Sequence, residues 1–206
     1  MNFREFDSRR TRRPDYVPRM SAILELPEAR PLVAHLSVEK FHRGGELGFY
    51  GKRAELIRGI VFDKLPMTPL HQKISKRVYD HILKLALPDH SVRHESPLTL
   101  RDSEPLPDVS VVAGHDSDFD ARHPSTAELV VEVAVSSVAF DRENAALFAE
   151  AGVREYWIVL AAKRQVEVYR EPEAGEYRER RIYGGDDQLE CGAIPAIRLS
   201  LAALFA

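Results

Sequence analysis

The stretch Leu129–Val135, with the sequence LVVEVAV, decides the fold class. Its β-branched valines favour a strand, and successive side chains of a strand alternate between two faces. One face then holds Leu129, Val131, Val133 and Val135, and the other holds Val130, Glu132 and Ala134. An ionised glutamate among valines loses hydration and needs a partner. Glu132 therefore reaches solvent, pairs with an arginine or belongs to a functional site.

Helices and further strands are predicted on both sides of this strand. Apolar residues recur every four positions from Leu70 to Ile82 and predict a helix over 69–87, which Pro88 ends. Two apolar runs flank Arg58–Gly59 and predict a hairpin over 53–64. The remaining predicted elements are helices at 37–43, 141–151 and from Ser200, and strands at 91–100, 109–113, 154–160, 165–170 and 178–183. This order favours an α/β fold, a mixed β-sheet flanked by helices.

Two more carboxylates lie at strand positions. Asp108 follows Pro107, which lacks the N–H of a ladder hydrogen bond and so belongs at the start of a strand. Glu55 lies on the first strand of the predicted hairpin. Taken alone, the Pro-Asp pair is an ordinary turn and Glu55 is an exposed strand residue.

Together, these carboxylates indicate a metal site. The 24 positions from Asp108 to Glu132 allow a strand, a loop and a returning strand, so the two can lie side by side. Carboxylate oxygens on adjacent strands suit a hard cation such as Mg²⁺ or Mn²⁺. Such an ion can bind a phosphate oxygen and acidify a bound water.

Composition and length restrict the class of protein. The chain has 206 residues, of which 44% are hydrophobic and 30% charged, as in globular proteins. Its net charge of −3 argues against general attraction to nucleic acid. The single cysteine, Cys191, excludes an internal disulfide. The longest apolar run, 156–162, is too short to cross a bilayer. We therefore expect a cytoplasmic protein without a membrane segment.

The amino-terminal part differs from the rest of the chain. Residues 1–35 contain four prolines and no sustained periodicity, which predicts an extended lead-in before a domain at 36–206. Six arginines lie within the first 20 residues. Such an arm is typical of a solvated terminus or of a segment that touches phosphate.

Several segments, in order, resemble the Uma-two family of restriction endonucleases, within the PD-(D/E)xK nuclease superfamily. The resemblance covers about residues 37–206 and is carried by Ala54–Gly59, Pro69–Gln72, Glu104–Val109, Leu129–Val133, Ala149–Val159 and Val166–Tyr169. It implies a restriction-endonuclease-like core and a divalent-metal site formed by Glu55, Asp108 and Glu132, with His71 nearby. It also implies DNA as substrate and a homodimer.

The chain departs from the family at the site lysine. The superfamily motif places a lysine two residues after the acidic strand residue, where this chain has Ala134. The family usually moves it to the next helix, one turn before an aromatic residue, and here that position is Asn144, before Phe148. Either Asn144 takes the place of the lysine, or the lysine is lost through a one-residue shortening, and in both cases we expect the site to lack its usual ammonium group. Arg142 cannot act as a base, and nothing in the sequence directs Lys73 there.

Two functions follow from these observations. The first is a metal-dependent DNA endonuclease that uses Mg²⁺ or Mn²⁺ on Asp108 and Glu132, assisted by Glu55. The second is a catalytically silent relative, without the site lysine, that binds nucleic acid or a protein partner. The sequence contains no glycine-rich phosphate loop or dinucleotide fingerprint, so no organic cofactor is expected.

Overall fold

The computed structural model of the chain describes residues 27–64 and 66–206. The arginine-rich arm and most of the predicted lead-in fall outside these residues, so the boundary between 1–35 and 36–206 stays a prediction. The described residues from 27 to 34 belong to one unit and contain a 3₁₀ turn at Arg30–Leu32. The fold described below is that of the second unit, His35–Ala206.

Four helices and ten strands make up this unit. The helices are α1 (Val38–Glu46), α2 (Pro69–Leu83), α3 (Val138–Glu150) and α4 (Leu201–Leu204). The strands are β1 (Ala54–Ile57), β2 (Ile60–Asp63), β3 (His90–His94), β4 (Val109–Ala113), β5 (Leu129–Ala134), β6 (Glu155–Leu160), β7 (Gln165–Glu173), β8 (Glu176–Gly184), β9 (Gln188–Glu190) and β10 (Arg198–Ser200).

Six of these strands form one mixed sheet in the order β3-β4-β5-β6-β7-β8. Strands β5 and β6 are parallel because α3 connects them, and every other neighbouring pair is antiparallel. Strands β1 and β2 form a separate hairpin, and β9 pairs with β10. The predicted α/β class with a mixed sheet is confirmed.

Strand β5 lies in the middle of the sheet, and all six of its residues are buried. Leu129, Val131 and Val133 pack in a core with α2 and the carboxyl-terminal segment. Val130 and Ala134 pack in a second core with α3. The predicted alternation of faces is therefore confirmed, and Glu132 lies on the α3 side of the sheet.

The hairpin β1–β2 turns at Arg58 and Gly59, which have φ angles of 51° and 78°. Positive φ at both central residues is the signature of a tight hairpin turn that matches strand twist. The turn sets Glu55 opposite Phe62. The pairing extends one step further, because the Lys64 amide donates to the Arg53 carbonyl at 3.1 Å.

Several predicted boundaries are wrong, and α1 and β7 each run three residues beyond their predicted ends at 43 and 170. Helix α2 ends at Leu83 rather than at residue 87, since Ala86 adopts φ of 45° ahead of Pro88. Strand β3 ends at His94 rather than at residue 100, because Glu95 has φ of 45° and leaves the ladder. Helix α3 begins three residues before the predicted start. Strands β9 and β10 were not predicted. Within the described residues, no helix is long and apolar enough to cross a membrane.

Candidate functional site

Asp108 and Glu132 are brought together by the pairing of β4 with β5. Val109 lies opposite Val131 in this antiparallel register, so Asp108 at the entrance of β4 faces Glu132. The Asp108 amide donates to Glu132 Oε2 at 3.3 Å, and the Val133 amide donates to Asp108 Oδ2 at 2.7 Å. Both side chains are buried, with 1% and 6% exposure. The backbone therefore fixes two carboxylates on one face of adjacent strands.

Glu55 reaches the same place from the hairpin. Leu56 forms an antiparallel bridge with Glu104, which docks β1 on the segment before Asp108. Within that contact the Leu106 amide donates to Glu55 Oε1 at 2.7 Å. The structure thus brings together the three predicted carboxylates from three separate parts of the chain.

Lys64 occupies the centre of this carboxylate cluster. Its Nζ lies 3.7 Å from Glu55 Oε1, 3.6 Å from Asp108 Oδ1 and 3.6 Å from Glu132 Oε2. It also donates to the Leu106 carbonyl at 2.5 Å. The expectation that the site lacks an ammonium group is therefore wrong. A lysine is absent from the motif position, but the end of β2 supplies one.

The other cations considered from the sequence lie elsewhere. Lys73 Nζ donates to the Ala206 carbonyl at 3.0 Å. Arg142 Nε donates to Glu167 Oε2 at 3.0 Å, on a buried carboxylate of β7. Neither side chain takes the place of the motif lysine.

His71 holds Asp108 from the other side. Thr68 caps α2 by accepting from the His71 amide at 3.2 Å, and this fixes the first turn of the helix. From there His71 Nε2 lies 2.9 Å from Asp108 Oδ2. The predicted place of His71 beside the carboxylates is observed, and the contact orients Asp108.

Burial and charge act against each other on the pKa values of these groups. Burial raises the pKa of Glu132 well above its usual range, and the charge of Lys64 only partly offsets this. Burial would also raise the pKa of Asp108, but the His71 hydrogen bond and the Lys64 charge outweigh it and lower the pKa. Burial would lower the pKa of Lys64, but Glu132, Asp108 and Glu55 together raise it. The neighbouring charges therefore favour the charged forms of Lys64 and Asp108, whereas burial favours the neutral form of Glu132.

A fourth carboxylate, Asp141 on α3, lines the same cavity and was not identified from the sequence. Ser137, the N-cap residue of α3, donates from Oγ to Asp141 Oδ2 at 2.6 Å. Burial raises the pKa of Asp141 to about 6, and Asp108 adds to the shift. Asn144 lies one turn further along α3 and also lines the cavity, as predicted. The sequence could have indicated Asp141 as a site residue, because it lies three residues before Asn144 on the same predicted helix.

The cavity at these residues has a volume of about 380 Å³. Its lining includes the cluster of Glu55, Lys64, Asp108 and Glu132. It also includes the rings of Phe62 and Phe140. The cavity is thus a recess lined by both charged and aromatic groups.

The residues present fit a hard divalent cation in donor type. Oδ1 of Asp108 is buried and has no hydrogen-bond partner among the described residues. Carboxylate oxygens are the ligands that Mg²⁺ and Mn²⁺ prefer. Over residues 27–64 and 66–206, no three acidic, histidine or cysteine side chains are grouped to hold a metal ion as they stand. The carboxylates are gathered around the ammonium of Lys64 instead.

Comparisons with known proteins agree with this architecture. Residues 45–202 match the model of the family Uma2, described as "Putative restriction endonuclease". The chain is also similar to a crystal structure from Anabaena variabilis, described as "a putative nuclease belonging to DUF820", with a TM-score of 0.65 and 19% identity. That match covers 74% of this chain and 89% of the other. Among curated proteins, none matches the chain. The expected restriction-endonuclease-like core is confirmed.

Proposed function

The chain belongs to the Uma2 family, and on that premise we propose that it is a nuclease that hydrolyses DNA phosphodiester bonds with Mg²⁺ or Mn²⁺. One observation carries the proposal. The ammonium of Lys64 lies within 3.7 Å of Glu55, Asp108 and Glu132, which the fold brings together from separate strands. This is the set of charges that the family motif implies, although the lysine comes from a different part of the chain.

Asp108 and Glu132 would hold the cation, with Glu55 assisting. When bound, such an ion lowers the pKa of a coordinated water and stabilises negative charge on a phosphate oxygen. Burial, which raises the pKa of Glu132, opposes the ionised form that this role requires. The buried Asp108 Oδ1, which lacks a hydrogen-bond partner in the described part of the chain, is the atom best placed to gain from the ion.

The chain's own groups supply the other parts of the reaction. The raised pKa of Lys64 favours its charged form, so once a cation has displaced it from the carboxylates it can offset the charge developing on the phosphate. His71 positions Asp108 through their 2.9 Å contact. Asp141 and Asn144 face the same cavity from α3, where a substrate phosphate would have to lie.

A catalytically silent, partner-binding protein is the second candidate. It is favoured by the tight grouping of the carboxylates around Lys64, which neutralises the cluster without a metal ion. In that case Lys64 is a structural counter-ion, and the cavity has no hydrolytic role. The two candidates differ in whether a cation displaces Lys64.

Calorimetric titration with Mn²⁺ separates them without knowledge of the substrate. We expect the wild type to bind, and the Asp108→Ala/Glu132→Ala variant to lose binding. Mn²⁺-dependent cleavage of single-stranded or plasmid DNA that disappears in Glu132→Gln then supports the nuclease. Absence of Mn²⁺ binding by the folded wild type would refute the metal site and favour the silent protein.

The homodimer and the cytoplasmic location remain parts of the proposal. The homodimer rests on the family resemblance, and light scattering coupled to size exclusion measures it directly. The location accords with access to DNA, and fractionation of cells that express the tagged chain tests it.

A further inference from the structure

Two of the side chains that line the cavity are phenyl rings that leave part of their surface open. Phe62 is 37% exposed and Phe140 is 36% exposed. The ring centroids lie 5.3 Å apart at an interplanar angle of 64°, an edge-to-face pair. Half-exposed aromatic rings at the entrance of a charged cavity form a surface on which a flat apolar group can stack.

Both rings are attached to the carboxylate cluster through the backbone. Phe62 lies opposite Glu55 in the hairpin and two residues before Lys64, so it lies on the same face of the hairpin as both. Phe140 directly precedes Asp141 and lies one turn before Asn144 on α3. A group stacked on the rings therefore lies next to Lys64 and the carboxylates around it.

The charges that line the cavity do not suit an intact duplex. The cationic side chains there, Arg53 and Lys64, are already paired with carboxylates, Arg53 with Glu95 at 2.9 Å. Duplex binding depends on several lysines or arginines that neutralise successive phosphates. The described residues that line the cavity offer no such row. The volume of about 380 Å³ instead falls within the range of sites that enclose a small ligand, about 300–1,000 Å³.

We infer that the cavity takes one unpaired nucleobase, which stacks against Phe62 and Phe140. Aromatic rings bind any base through its π-face, without reading sequence. The preferred substrate is then single-stranded DNA, or a strand with an unpaired base, rather than intact duplex. This inference rests on the proposed function only in taking nucleic acid as the substrate.

Stacking can be measured with a single-stranded oligonucleotide that contains 2-aminopurine, whose fluorescence falls when it stacks. Binding is measured in EDTA, so that no cleavage occurs, for the full chain and for Phe62→Leu, Phe140→Leu and Phe49→Leu. Phe49 is 76% exposed and does not line the cavity, so it serves as the matched control. We expect quenching by the wild type and by Phe49→Leu. The two cavity variants should bind about 5- to 150-fold more weakly, as for loss of one stacked base.

Three results would overturn the inference: equal affinity for duplex and single strand, equal behaviour of Phe62→Leu and Phe49→Leu, or no quenching in the wild type. Free 2-aminopurine deoxynucleoside monophosphate forms a further arm, and affinity equal to that of the oligonucleotide would replace the strand by a free nucleotide. Phe62→Trp keeps an aromatic face and should restore binding, which guards against a folding defect.

The same variants distinguish this inference from the proposed function. Mn²⁺-dependent cleavage that requires Glu132 but is unaffected by Phe62→Leu leaves the nuclease standing and refutes the stacking. Quenching that requires Phe62, in a protein that binds no Mn²⁺, supports the stacking and refutes the metal-dependent reaction.

Discussion

Replacement of Lys64 by methionine tests the centre of the site. Methionine keeps the length of the side chain and removes its charge. At 3.6 Å, one charge pair is worth about 4–5 kcal/mol with an effective dielectric constant of about 20. The burial of Lys64 opposes this gain, and removal of one partner from a buried ion pair costs about 3–5 kcal/mol in practice. We therefore expect Lys64→Met to lower the free energy of unfolding by about 3–5 kcal/mol in metal-free buffer at neutral pH.

Part of this loss should return when Mn²⁺ is added. A cation at the carboxylates replaces the missing positive charge and binds only the folded chain. At a concentration 100-fold above the dissociation constant it adds about 2.7 kcal/mol. Wild type gains less, because Lys64 must first move aside. Urea denaturation with and without Mn²⁺ measures both values, and Lys73→Met, an exposed lysine outside the cluster, is the control.

Activity should change in the opposite direction to metal affinity. Removal of one positioned charge lowers the cleavage rate by about 10²–10³-fold. Because Asn144 lines the same cavity, Asn144→Lys in the Lys64→Met background should recover part of the rate. The reasoning is refuted if Lys64→Met is as stable as Lys73→Met without metal and cleaves DNA at the wild-type rate.

Three further predictions concern the surroundings of the cluster. The pKa of Asp141 is raised to about 6, so its native form holds a proton that the unfolded chain has lost, and stability falls as pH rises from about 4 to 6. Asp141→Asn should remove this slope and gain up to about 3 kcal/mol at pH 7 in urea denaturation, whereas a gain independent of pH would contradict the assignment. His71→Ala leaves Asp108 without its 2.9 Å contact and should weaken Mn²⁺ binding about 10- to 100-fold by calorimetry; unchanged affinity would remove His71 from the site. Gly59→Ala introduces a Cβ 2.6 Å from a neighbouring side chain at φ of 78°, and should cost at least about 1–2 kcal/mol in thermal unfolding, while Gly51→Ala, with open space around it, should not.

Much of the carboxylate site could be predicted from the sequence because it depends on the period of two along strands. The pattern around Glu132 places a charge on an otherwise apolar strand, and Pro107 marks the start of the neighbouring strand β4. The pairing of β4 with β5 then sets Asp108 opposite Glu132, which matches the spacing of these residues. The alternation of side chains along β5 predicts the two faces of the strand correctly because both faces are buried.

The position of Lys64 on the hairpin could also have been predicted from the sequence, because the turn determines which residues lie opposite each other. A two-residue turn at Arg58–Gly59 fixes the register of the hairpin, so Lys64 must lie opposite Arg53 and on the face of Glu55. What no local pattern reveals is the docking of this hairpin on the segment before β4. That contact is a long-range backbone bridge between Leu56 and Glu104. Without it, Lys64 reads as one more lysine at the end of an exposed strand.

The position of the lysine in the chain matters less than the charge it brings to the carboxylates. Glu132 and Asp108 are fixed by backbone amides, so their field exists whichever segment carries the cation. The backbone amide of Lys64 donates to the Arg53 carbonyl, and its ammonium donates to the Leu106 carbonyl. Helix α3 carries Asp141 and Asn144 instead of a lysine. The relocation has a physical consequence: Lys64 approaches all three carboxylates at once, so metal binding and the placement of the ammonium compete for the same oxygens. The strength of Mn²⁺ binding in wild type relative to Lys64→Met therefore measures how strongly the ammonium and the cation compete for these carboxylates.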